Sequence, residues 1–298
     1  MRCIVLLAAV AACTGHSVAA RAEAAPREVT TEAAGTQSDE DLDRVAGEPD
    51  FTVITMPTNL RLPKHRVTFR LTHRFGRPLG EGDLGSLASD MFGLDGGAQV
   101  GLGLRFGVRR GNQLAAYRTG DRTIQLSDQQ ELVSHERRAF GLSLVVSIEG
   151  RDNMGLSEAP VPEPLHTYSP SAALVLSRRL GSHGALYVVP SFVANTRITP
   201  SAPGNEDSTA VLGLGARLFL TRNMAIVGEA HPRLFGYRGD LGAGDAAFLA
   251  AFGVEWTVGG HAFQLNVSND LGTTPAQVAR GQQGSGWHLG LNLSRKFF

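Results

Sequence analysis

Residues 66–75 read Arg66-Val67-Thr68-Phe69-Arg70-Leu71-Thr72-His73-Arg74-Phe75. Odd positions are mostly apolar, and even positions are arginine or threonine. Successive side chains of a strand point to opposite faces, so this stretch has one greasy face and one face carrying three arginines. The same alternation recurs downstream. Gly97–Val108 sets Ala98, Val100, Leu102, Leu104, Phe106 and Val108 against Gln99, Gly101, Gly103, Arg105 and Gly107. It continues through Phe140–Glu149, Thr209–Leu220, Phe248–Trp256, Phe263–Ser268 and Trp287–Ser294. Weaker candidates lie at Leu114–Leu126, Tyr168–Leu180, Ala185–Asn195 and Ala225–Leu234. Many of these stretches are about 10 residues, the length that crosses a bilayer at a tilt.

The connections follow a rhythm. Short ones at Gly181–Gly184, Thr221–Met224 and Gly259-Gly260 alternate with long ones at Gly150–His166, Thr196–Asp207, Phe235–Gly244 and Leu271–Ser285. Outer-membrane barrels join their strands by short periplasmic turns and longer outer loops. The expected fold is therefore all-β: a transmembrane antiparallel up-and-down β-barrel of the outer-membrane type, with about 12 strands and 10 to 14 allowed. Counting backwards from a periplasmic C-terminus leaves one conflict. The tight Arg109–Asn112 turn lands outside, and the long Gly76–Gly96 segment lands inside. An even total also calls for one more strand at the N-terminus, with Phe51–Leu60 as its candidate.

No run of about 18 apolar residues follows the N-terminus, so helical membrane spans are not expected. Residues 1–22 read as a secretory signal peptide of a Gram-negative outer-membrane protein. Arg2 gives a positive start, Ile4–Ala12 the apolar stretch, and Ala20-Arg21-Ala22 a small-x-small cleavage site. Val10-Ala11-Ala12-Cys13 offers the alternative of a lipidated Cys13. Cys3 and Cys13 are the only cysteines, so cleavage after residue 22 leaves neither disulfide nor thiolate. Residues 23–50 hold nine acids against Arg27 and Arg44, a net charge of −7, whereas residues 51–298 hold 24 basic and 19 acidic residues, a net of +5. The expected organisation is a signal peptide at 1–22, a disordered acidic periplasmic tail at 23–50 and the barrel at 51–298. The tail reads either as a solvated spacer or as a docking arm for a periplasmic partner.

A short helix is expected near residues 83–92. Asp83 suits the N-cap, and Leu84, Leu87, Ala88 and Met91 repeat at three and four residues. The helix could plug the barrel end, lie on the membrane or cap a strand junction. The series His73-Arg74-Phe75-Gly76, a short helix, and Phe92-Gly93-Leu94-Asp95-Gly96 running into a glycine-alternating strand resembles a family of membrane-bound β-barrels catalogued as a domain of unknown function. The resemblance covers about Phe51–Phe298. It implies a secreted outer-membrane protein and brings no activity with it. The chain ends on an aromatic, as barrels presented to the assembly machinery do. The apolar face of Trp287, Leu289, Leu291 and Leu293 shares its parity with Phe297, so a bulge near Ser294-Arg295-Lys296 would be needed to bring Phe298 onto that face.

The polar faces carry Arg66, Arg70, Arg74, Arg105, Glu149, Arg217, Glu229 and Glu255 as lumen-lining candidates. The guanidinium fork suits carboxylates and phosphates, which points to an anion-selective pore. The alternative is a ladder of Arg–Glu pairs filling a narrow barrel. No catalytic residues are assigned. His231 beside Glu229 is the best pair for a hydrolase, two residues apart on one strand face and about 7 Å between side-chain origins. No spaced His/Cys cluster indicates a metal, the Gly-Leu-Gly pairs lie within strands where no nucleotide loop forms, and no basic motif indicates nucleic acid. No cofactor is expected, and the lipid bilayer is the expected environment. The functional expectation is a porin-like pore for small solutes, anions among them. The alternatives are a closed barrel that docks a partner and, third, an outer-membrane hydrolase.

Overall fold

A computed structural model describes residues 48–89, 97–135, 138–151, 167–197, 207–237, 248–281 and 286–297. The elements in chain order are β1 (Val67–Pro78), α1 (Leu84–Ser89), β2 (Ala98–Arg109), β3 (Asn112–Thr119), β4 (Ile124–Val133), β5 (Phe140–Gly150), β6 (Tyr168–Arg179), β7 (Gly184–Val193), β8 (Thr209–Phe219), β9 (Met224–Ala230), β10 (Arg233–Phe235), β11 (Ala250–Val258), β12 (His261–Ser268), α2 (Pro275–Arg280) and β13 (His288–Lys296). Each strand pairs antiparallel with its neighbours, and β1 pairs with β13, which closes the sheet. Both β9 and β10 pair with β8. They are one strand interrupted at His231-Pro232, where proline has no N–H to give the ladder. The barrel therefore has twelve strands.

The alternation sets the direction of each face. Leu102, Leu104, Phe106, Leu174, Leu176, Leu214, Leu218, Phe252 and Val254 are exposed on the outer surface, Leu104 at 57%. Their strand neighbours Thr72, Arg74, Ser143, Ser177, Arg217, Gln264 and Asn292 are buried on the inside. A soluble barrel would reverse this, because water would strip the greasy face of its gain. An apolar band outside and polar groups inside are the arrangement a bilayer selects.

Twelve strands are reached by a route other than the one the sequence suggests. Phe51–Leu60 is not a barrel strand. The missing strand comes from Leu114–Leu126, which is two strands, β3 and β4, joined by a tight turn. Thr119 N–H donates to the Thr123 carbonyl (2.9 Å) and Thr123 N–H to Asp121 Oδ1 (3.2 Å), an aspartate-stabilised turn. The paired positions Ala116↔Leu126 and Tyr117↔Gln125 share parity, so the two-residue period passes through the turn without a break. The extra hairpin also removes the conflict over connections. The turn at residues 110–111 now falls at the end holding the two chain ends of the barrel, hereafter the turn end, with the turns after β6, β8 and β11. The connection from β1 to β2 falls at the opposite, loop end. The turn between β11 and β12 needs positive φ at both central residues, supplied by Gly259 (53°) and Gly260 (80°).

Two further expectations change. The register between β13 and β1 runs evenly from Leu71↔Leu293 to Thr68↔Lys296, so no bulge forms at Ser294-Arg295-Lys296, and Phe297 stays on the outer face. Phe298 lies outside the described residues. Helix α1 begins where expected, with Asp83 Oδ1 accepting from Ser86 N–H (2.7 Å), and is described as far as Ser89. Met91 and the motif residues Phe92, Gly93, Leu94 and Asp95 lie outside the described residues, as do the signal peptide and most of the acidic tail. Arg77 at the end of β1 donates to the Ser86 carbonyl (3.2 Å) and the Glu81 carbonyl (2.7 Å), tying α1 to the strand it follows. A second short helix, α2, sits in the Leu271–Ser285 connection and is buried.

Candidate functional site

The interior is built around Phe51–Leu60, the segment expected as the additional N-terminal strand. Residues 48–63 enter from the turn end, fold back on themselves and leave at the same end, forming a plug inside the barrel. Its turn is closed by Val53 N–H to the Met56 carbonyl (2.8 Å) and Thr58 N–H to the Phe51 carbonyl (2.9 Å). Pro57 in this stretch, and Pro63 after it, disfavour a ladder strand, and the missing alternation is the sequence signal for its interior position. Val53, Ile54 and Leu62 are fully buried, and Met56 nearly so.

A loop inside a barrel carries backbone polar groups that water no longer reaches, so the wall must satisfy them. It does so with inward side chains from around the barrel. Glu229 accepts from the Ile54, Thr55 and Met56 N–H groups at 2.9, 2.9 and 3.0 Å, and from the Thr55 hydroxyl. Three successive amides converging on one carboxylate make an anion nest whose anion belongs to the protein. Arg217 donates to the Thr52 carbonyl (2.7 Å), Gln264 to that of Val53 (2.6 Å), and Arg70 and Asn292 to that of Ile54. Gln129 holds the Thr58 carbonyl (2.8 Å), and Gln113 holds both the Leu60 carbonyl and the Leu62 N–H. Near the turn end Asp50 accepts from the Ser294 hydroxyl (2.9 Å), and Glu48 pairs with Arg179 (3.3 Å).

Apolar contacts complete the seat. Val53, Ile54 and Met56 pack with inward Val175, Ala185, Tyr187, Val189, Val227 and Ala251, and with Val278 of α2. Met56 lies over the inner face of β8, where a β-carbon on Gly215 would collide with its methyl group. The glycines of β8 thus make room for a plug side chain.

Helix α2 sits inside the barrel toward the loop end. Glu149 on β5 accepts from the Thr274 hydroxyl (2.9 Å) and Ala276 N–H (3.0 Å), meeting two donors at the helix start. Gln277 donates to Asp121 Oδ2 (2.8 Å), and Arg233 donates to the Arg280 carbonyl (2.6 Å). Asp270, in the connection ahead of α2, accepts from Gly272 N–H (2.7 Å) through one oxygen while its other oxygen is buried without a hydrogen bond. Burial pushes its carboxyl up to about 6.

Between plug and helix lies a cavity of about 160 Å³. Arg70, Arg105, Tyr117 and Gln129 line one side, from β1 to β4. Val145, Ala173, Val189 and Val211 line the other, from β5 to β8.

The lumen candidates thus occupy different places. Arg217 and Glu255 form a fully buried two-point pair at 3.0 Å. Glu229 holds the plug and Glu149 holds α2. Arg70 and Arg105 face the cavity. Arg74, fully buried, donates to Asn292 Oδ1 (2.8 Å) with no carboxylate against it among the described residues. Arg66 is exposed at the turn end just before β1. His73, adjacent to Arg74 on β1, packs against Phe75 with ring centroids 4.4 Å apart. His231 Nε2 stands 3.3 Å from Glu229 Oε1, and that carboxylate is already engaged by the plug amides. Sequence reasoning missed the polar residues that hold the plug and α2, chiefly Gln113, Gln129, Gln264, Asn292 and Asp121. The described residues contain no His/Cys/Asp/Glu cluster suited to a metal ion.

Residues 50–297 match the family model described as a membrane bound beta barrel domain (DUF5777). The fold is similar to that of the NanC porin, with a TM-score of 0.50 at 8% identity, the match covering 78% of this chain and 100% of that one. A weaker likeness, to the outer membrane channel DcaP of Acinetobacter baumannii, has a TM-score of 0.33 at 12% identity over 67% of this chain and 63% of that one. The curated proteins hold no match to the sequence.

Proposed function

This chain belongs to the membrane bound beta barrel domain family (DUF5777), and on that premise we propose that it is an outer-membrane channel for small solutes, held shut in this conformation by residues 48–63. The observation that carries the reading is how the plug is held. Its contacts with the wall are side-chain hydrogen bonds, ion pairs and apolar packing, and among the described residues it shares no ladder with the barrel. Such a segment can leave without unfolding the wall, and what it would leave behind is a lumen lined by Arg, Glu, Gln, Asn and Ser. In this reading the turn end faces the periplasm and the loop end faces outward, as short turns and long loops do in outer-membrane barrels.

Liposome swelling tests the proposal. Proteoliposomes carrying the chain without residues 48–63 should swell rapidly in isosmotic arabinose, and those carrying the full barrel much more slowly. Intact, heat-modifiable barrels that admit no arabinose in either form would contradict it. A second reading has its own support in the filling of both ends: a permanently closed barrel whose plug presents the preceding acidic residues to a periplasmic partner. That reading predicts no swelling with or without the plug.

A further inference from the structure

The cavity between plug and α2 is divided by chemistry. We propose that it is a binding chamber for one small organic anion with an apolar body, a single aromatic or branched acid in size. This deepens the channel reading and rests on it for the route by which the anion arrives.

The charged side is made by two neighbouring strands. Thr68↔Arg105 and Arg70↔Gly103 are paired across β1 and β2, which puts the two arginines on one inner face as diagonal neighbours, about 7 Å apart at their side-chain origins. Arg105 donates to Gln129 Oε1 (3.2 Å) and lies over the Phe51 ring at 5.2 Å, while Arg70 donates to the Ile54 carbonyl. Neither has a carboxylate partner among the described residues, and the Nε of Arg70 is buried without a hydrogen bond. Asp50 is the acid that lines the cavity, and its oxygens are taken by the Phe51 N–H (2.8 Å) and the Ser294 hydroxyl (2.9 Å). Elsewhere in the lumen Arg217 is matched by Glu255 at two points, and Arg74 meets Asn292 but does not line this cavity. Two like charges on one inner face, half-buried and with donors to spare, are stabilised by an anion between them.

The opposite side excludes an inorganic ion as the best fit. Val145, Ala173, Val189, Val211 and Val278 make that side mostly hydrocarbon, broken by Ser171 and Ser191, too few donors for the oxygens of a phosphate. Size sets the upper bound. A cavity of about 150 Å³ admits a benzene ring, and this one is about 160 Å³. A carboxylate between Arg70 and Arg105 with a ring against the valines satisfies both sides.

Isothermal titration of the refolded full chain in detergent, with benzoate against the similarly sized but uncharged benzyl alcohol, tests this. Benzoate should bind saturably and about tenfold or more tighter than benzyl alcohol. Arg70→Gln and Arg105→Gln should each weaken benzoate by about tenfold and leave benzyl alcohol unchanged, while Ala173→Phe, which fills the apolar side, should abolish both. Heat-modifiable mobility on gels checks that each variant is folded. Absent saturable benzoate binding, equal binding of the two probes, or unchanged benzoate binding in both arginine variants would overturn the proposal. Swelling by the plug-deleted barrel without benzoate binding would leave the channel reading standing and remove the chamber. Binding without swelling would do the reverse.

Discussion

Among the described residues Glu229 holds the plug by more hydrogen bonds than any other wall side chain, because one carboxylate meets three plug amides and a hydroxyl. Hydrogen bonds to a charged group contribute roughly 1.5–3 kcal/mol each and are not additive. Glu229→Ala should therefore cost the seated plug about 3 kcal/mol, a rise of roughly a hundredfold in the opening equilibrium. A Thr52→Cys probe reads this directly, since Thr52 is buried and its hydroxyl makes no hydrogen bond. Its labelling by a water-soluble maleimide should speed up by that factor, and an unchanged rate would contradict the role assigned to Glu229. Gly215→Val should act in the same direction by displacing Met56. Met56→Ala in the same chain should restore slow labelling, a coupling that a general loss of stability would not produce. Asp270 gives a pH dependence. Its folded carboxyl titrates at about 6, above its ordinary value, so the stability it contributes is full below about pH 4 and is lost as pH rises through 6. The loop end should tighten between pH 7 and 4. Asp270→Asn should remove that slope, as followed by hydrogen exchange of the α2 amides.

At the scale of elements, α2 and the plug are separate inserts with separate clamps. Glu149→Ala removes the acceptor for Thr274 and Ala276, so exchange at the Ala276 amide should quicken by about tenfold while Thr52→Cys labelling stays slow. Joint loosening of both would show that they form one unit. The same scale explains what could be read from sequence. Strands with large apolar residues at every second position, such as β2, β5 and β8, were legible because lipid demands that face. The β3–β4 hairpin was not, because its pairs keep parity across the turn and β4 carries Asp128 and Gln130 on its outer face near the turn end, where Asn112 meets Asp128 at 3.0 Å. The plug was visible as an apolar stretch but was assigned to the wall. Its proline and irregular period pointed elsewhere, and the valines on the glycine-and-serine faces take their contacts from the two inserts, Val145 from the plug cluster and Val211 from Ala276 and Ala279 of α2. Of the site, the inward arginines and glutamates could be located by parity. Their division into a matched pair, two clamps and two cavity-facing cations could not, because partners distant in sequence decide it.

For the whole molecule, an apolar outer band fixes where the barrel resides, and a filled interior fixes what it can do at rest. The twelve-strand wall is continuous through β1 and β13, so in the proposed channel the contents of the lumen, and not the wall, decide whether solute passes. The most direct test is single-channel recording in a planar bilayer, comparing the full chain with one lacking residues 48–63, with Glu229→Ala as a variant that keeps the whole chain. The full chain should be closed with rare openings, the plug-deleted barrel should give stable steps, and the Glu229→Ala barrel should open far more often at the same step size. Stable steps of equal size and frequency in all three, or none from a correctly inserted plug-deleted barrel, would contradict the plugged-channel reading.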